Sequence, residues 1–121
     1  MQNADEPGTP SVSDVRTRLH DAARLLRDPL SIDPDVRRAL ADLVDELGQA
    51  FETPGAPPAE VARLAEVTAH LTEALHQGHD RGLLEQVRNR MKQLVLQAET
   101  RAPTAVHLME NVINALANIG I

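Results

Sequence analysis

Residues 33–52 read DPDVRRALADLVDELGQAFE, and this stretch decides the fold. Asp33 belongs to the residue types that cap a helix start. Pro34 loses nothing at the first helical position, where its missing N–H would have no intrahelical partner, and Asp35 stands where the helix dipole favours a carboxylate. Behind this start signal Val36, Leu40, Leu43, Leu47 and Phe51 recur at steps of three and four. Such spacing draws one apolar stripe along an α-helix and does not fit the strict alternation of a half-buried strand.

The same pattern extends upstream. Ser11 offers an N-cap with Asp14 three positions later, and Val12, Val15, Leu19, Ala22 or Ala23, and Leu26 form a stripe. Pro29 disfavours helical geometry in the residue before it, so this helix is predicted over 12–28. The short connection to the helix at 34–52 makes residues 11–52 an antiparallel hairpin. Residues 1–10 are polar, contain Pro7, Gly8 and Pro10, and read as a disordered N-terminal tail.

Downstream, residues 53–58 spell TPGAPP, a linker that cannot continue a helix. Val61, Leu64, Thr68, Leu71 and Leu75 then mark a helix over 58–77. Leu84, Val87, Met91, Leu94 and Ala98 mark another over 80–101, out of phase with the first. The break falls at Gly78 to Gly82 and reads as a turn or kink, with one long bent helix as the alternative. Pro103 opens a last helix over 103–119 carrying Val106, Met109, Ile113 and Leu116. Gly120 suits a left-handed C-cap, and Ile121 folds back on the preceding turn. The class is all-α: antiparallel helical hairpins forming a small bundle with coiled-coil-like packing, one domain overall. Alternatively, the stiff linker holds the first hairpin away from residues 59–121, and a second copy covers the apolar faces.

Composition narrows the functional classes. The 121 residues include 12 Lys plus Arg against 18 Asp plus Glu, for a net charge of −6, and Phe51 is the one aromatic. Without cysteine, disulfides, thiolate metal sites and Cys nucleophiles are excluded. An acidic chain without stacking aromatics argues against electrostatic capture of nucleic acid. No apolar run approaches the about 18 residues of a membrane span, and Met1 to Pro10 has no signal-peptide core. The expectation is a soluble, bacterial-type cytoplasmic protein.

The C-terminal segment, AETRAPTAVHLMENVINALANIGI, resembles the end of a bacterial family of short helical proteins known as the domain of unknown function numbered 4404. That family closes with Phe-Glu-x-x-His-Pro, an amphipathic helix and Leu-Ala-x-Met-Gly-Ile. Glu99, Pro103, Leu116, Ala117, Gly120 and Ile121 fall at matching places, with Ile119 in the Met position. The first hairpin is similar too, from Leu19-His20 through Pro29-Leu30 to the acid-rich start at Asp33 to Asp35. The family's Phe is Ala98 here and its His is Ala102, and the helix at 58–77 looks like an insertion. The resemblance implies a helical soluble protein and no activity. The ending itself reads as a helix-stop device.

Candidate chemistry is sparse. His70, Glu73, His76, His79 and Asp80 form the densest set of potential ligands, and Glu73-Ala74-Leu75-His76 has the Glu-x-x-His form used by di-iron bundles. Such a site needs a second copy of that element, and the chain has one. The plainer reading is a solvated helix end whose histidines complement the dipole. His107 and Glu110 are helical neighbours that read as a surface pair, and His20 as a border of the first hairpin's core. Arg81, Arg88, Arg90 and Lys92 make the one basic stretch, interrupted by Glu85, and read as a solvated face. No Gly-x-Ser-x-Gly, Ser-x-x-Lys, phosphate loop or dinucleotide fingerprint occurs.

The leading expectation is therefore a non-enzymatic helical interaction or oligomerisation module without cofactor. It would form a homodimer or take a protein partner through Val106, Met109, Ile113 and Leu116. The alternatives are a metal-binding bundle using Glu73, His76, His79 and Asp80, and a small nucleic-acid-binding regulator using Arg81 to Lys92.

Overall fold

A computed structural model of the protein describes residues 12–27, 33–52, 58–78 and 81–121. It contains α1 (Val12–Leu25), α2 (Pro34–Glu52), α3 (Ala59–Gln77), α4 (Arg81–Ala98) and α5 (Pro103–Asn118), with no strand among the described residues. The tail at 1–10, the Ser11 cap, the stop at Asp28-Pro29 and linker residues 53–57 lie outside the described residues.

The start of α2 forms as its sequence dictates. The amide N–H groups of Asp35 and Val36 donate to Asp33 Oδ1 at 3.0 and 3.3 Å, and the Arg37 N–H donates to the Asp33 carbonyl at 2.8 Å. At the far end of α3, Gly78 takes a left-handed conformation with φ of 72°. A side chain there would crowd the backbone, so the break at this position ends the helix. α3 and α4 are thus two helices and not one bent rod.

α5 opens on Pro103 at its first turn and closes on a paired cap. The Gly120 N–H donates to the Ala117 carbonyl at 3.1 Å and the Ile121 N–H to the Leu116 carbonyl at 2.9 Å, with Gly120 at φ of 89°. This is the Schellman arrangement, which satisfies carbonyls that the helix end leaves orphaned. Ile121 packs back on the core, as its apolar character predicts.

The packing has a definite order. α2 meets α3, α3 meets α4, α4 meets α5, and α5 returns to α2, closing a ring of four helices. α1 lies outside the ring, against α2 and α3. The first hairpin is therefore part of the bundle, and of the two arrangements open to the linker the chain adopts the closed one.

α3 is the most enclosed element. Eleven of its 19 residues are buried, because α1, α2 and α4 all pack on it. Its second buried face is made of Ala62, Ala65 and Ala69, where small side chains let neighbours approach. Thr68 and Thr72 are wholly buried. Their hydroxyls donate to the Leu64 and Thr68 carbonyls at 2.7 and 2.9 Å, so neither oxygen is left unsatisfied. Across the bundle Leu40, Leu43, Leu47, Leu64, Leu71, Met91, Met109 and Leu116 are fully buried.

Two glycine substitutions should have opposite signs. A Cβ on Gly48, inside α2, meets nothing within 4 Å, so Gly48→Ala should stabilise by about 0.5–1 kcal/mol through helix propensity. Gly78→Ala forces a left-handed alanine and should cost about 1–2 kcal/mol. Urea unfolding midpoints of the two variants, measured by far-UV circular dichroism, check the pair.

Candidate functional site

The metal-type cluster does not assemble among the described residues. Glu73 faces α1 and pairs with Arg18 at 3.3 Å, both side chains about two-fifths exposed. His70 is exposed, while His76 is half-buried beside Asp21, Arg24 and Leu25 of α1. His79 and Asp80 lie outside the described residues. Within the described residues no group of three His, Asp or Glu stands close enough to hold a metal ion.

The basic stretch disperses. Arg81 lies over Gly120, its Nη2 3.4 Å from where a Cβ would stand. Arg88 Nη1 donates to the main-chain oxygen of Ile121 at 2.6 Å, and its Nη2 to Asn89 Oδ1 at 3.2 Å. Arg90 reaches Glu66 of α3 at 3.9 Å, and Lys92 stands exposed beside α5. The arginines at 81 and 88 therefore serve the end of α5, where cations complement the negative end of the dipole. Four cations with different roles do not make the continuous footprint that a nucleic acid backbone requires.

The proposed contact stripe is largely consumed by the fold. Val106, Met109 and Leu116 are buried in the core, facing the α2 and α4 side of the ring. Only Ile113 remains half-buried and reachable. The sequence shows that these four positions share one face, but not that the chain covers that face itself.

Among the described residues, two surface grooves reach down to buried core side chains. The first, of about 450 Å³, runs between α1 and α2 over Leu19, Val44 and Phe51, with Ala23 and Gly48 leaving the depression. Its rim is engaged internally: Arg16 Nη2 donates to the Phe51 carbonyl at 2.7 Å, and Gln49 Nε2 to Asp45 Oδ2 at 3.3 Å. His20 is exposed on this rim, beside the buried Leu19, Val44 and Phe51 of the first hairpin.

The second groove, of about 510 Å³, runs between α4 and α5. Val95 and Ile113 lie at its base, with Lys92 and Leu96 on one side and His107, Glu110, Asn111 and Asn114 on the other. Leu96 is 75% exposed, more than any other large apolar side chain among the described residues. Sequence reading missed Leu96 because it falls outside the Leu84–Ala98 stripe. Its signal was that very position, a leucine on the polar side of a helix.

The family described as "Domain of unknown function (DUF4404)" matches residues 36–121. That range takes in nearly all of α2 and the whole of α3, α4 and α5, the four helices of the ring, and leaves α1 outside. Leu19-His20, where the resemblance begins, thus precedes the matched range, while the helix read as an insertion runs through the middle of it. Among curated proteins and among solved structures, none matches the chain.

The Arg88 contact sets a test of the cap. Arg88→Met keeps much of the apolar stem but removes a charge-assisted hydrogen bond, and should cost about 1–2 kcal/mol. Amide hydrogen exchange at Ile119 to Ile121 should accelerate more in this variant than exchange in α3.

Proposed function

The chain belongs to the DUF4404 family, and we propose that it is a non-enzymatic helical interaction module that self-associates through the face formed by α4 and α5. The observation carrying this reading is Leu96. A leucine 75% exposed beside a groove with Val95 and Ile113 at its base leaves apolar surface in water, and association would remove it. Ile113 is the member of the originally expected contact stripe that this face retains.

The seam between copies is proposed to be coiled-coil-like, with apolar side chains of α4 and α5 interleaving along nearly aligned helices. The same reading carries a bacterial cytoplasmic setting, supported by the family resemblance and the charged outer faces of the helices. Metal binding and nucleic-acid binding gain no support from a Glu73 held by Arg18 or from arginines committed to the α5 cap.

Light scattering over about a hundredfold range of protein concentration tests the reading. Wild-type mass should rise above that of one chain. Leu96→Glu should hold the protein at monomer mass with its unfolding midpoint nearly unchanged, since the side chain contributes little to the core. A wild-type protein that stays monomeric throughout overturns the proposal.

A further inference from the structure

We infer that the occupant of the α4–α5 groove is a second copy of this chain, docked about a two-fold axis that passes between Lys92 and Glu110. The inference rests on the self-association reading and specifies its geometry.

The placement of residues along the hairpin carries it. α4 and α5 run antiparallel, joined by residues 99–102, with Arg81 at the start of α4 beside Gly120 past the end of α5. Lys92 and Glu110 stand at about the same level, six residues before the end of α4 and seven after the start of α5. Leu96 and His107 both lie about one helical turn from that level toward the connection, and Ile113 and Asn114 about one turn from it in the opposite direction. Rotation by a half-turn about an axis between Lys92 and Glu110 lays α4 of one copy over α5 of the other. With the axis parallel to the helices and lying in the interface, Leu96 then meets the level of His107 of the second copy, and Lys92 meets Glu110, each contact occurring twice.

Charge favours this pairing. The chain as a whole carries −6, so two copies repel over most orientations. The groove is different: it is lined by one cation, one carboxylate, one histidine and two asparagines, and is balanced when the histidine is neutral. Lys92 and Glu110 have no ion-pair partner among the described residues, so both charges remain open to a second copy. The α1–α2 groove lacks these features, because its rim is already paired within the chain and presents no protruding apolar side chain. A standard interface of about 800 Å² per partner would occupy roughly one-eighth of the 6870 Å² surface, within the span of two helices of this length.

The experiment exploits the symmetry of the contact. Lys92→Glu alone puts carboxylates opposite one another twice, and Glu110→Lys alone does the same with two ammonium groups. Each variant by itself should dimerise about tenfold or more weakly than wild type. Mixed one to one, they should form a heterodimer in which both pairs are again opposite in charge, with affinity returning close to wild type. An interaction confined to one chain cannot produce that recovery. Both side chains are exposed, so the variants should keep native circular dichroism. Sedimentation equilibrium of the wild type, each variant and the mixture supplies the readout. Wild-type dimers that are indifferent to the charge reversals, or single variants that the mixture fails to rescue, overturn this axis while leaving self-association intact. A monomeric wild type removes both.

Discussion

The enclosure of α3 by α1, α2 and α4 is the constraint from which the rest follows. A chain with one aromatic residue cannot anchor its core on a few large rings and must gather many small aliphatic contacts instead. A helix in contact with three neighbours provides them, provided that its own side chains allow close approach. α3 meets that condition with leucines on one side and alanines on another. Two threonines complete it by turning their hydroxyls to the preceding turn. The remaining helices then have little choice of place: α4 and α5 extend the ring from α3, and α2 closes it.

The sequence carried the elements clearly and their partners poorly. Asp33, Pro34 and Asp35 marked the start of α2, Pro103 marked that of α5, and Gly78 and Gly120 marked the ends of α3 and α5. Each of these residues acts through its own backbone, which is why it could be read locally. Periodicity likewise identified the buried face of each helix. It could not say what covers that face, because covering is a property of two segments distant in the chain. Val106, Met109 and Leu116 illustrate the gap, since a stripe awaiting a partner and a stripe already buried have the same spacing. α3 was more fully legible, for its leucine stripe marked one buried face and the small residues Ala62, Ala65 and Ala69 pointed to close approach of neighbours on another, and all three are buried.

Surface chemistry was less legible still, for a related reason. Histidines and arginines close in sequence suggested sites at 70–80 and 81–92, yet helical geometry distributes such neighbours around the cylinder. Glu73 turns to Arg18, Arg90 to Glu66, and Arg88 to Ile121. The candidate surface is instead built from residues on two helices whose side chains look unremarkable in sequence, and Leu96 becomes informative only once its exposure is known.

The closure of the ring by α2 and α5 has a kinetic consequence. These helices are separated by fifty residues, whereas α3–α4 and α4–α5 are joined by short connections. Local hairpins form at small entropic cost, but bringing α5 back to α2 requires closing a long loop of chain before its contacts reward the search. The joint between the first and last helices of the ring should therefore set the pace of folding. Sequence changes that weaken α5 would act there first, slowing assembly before they alter the shape of the finished bundle.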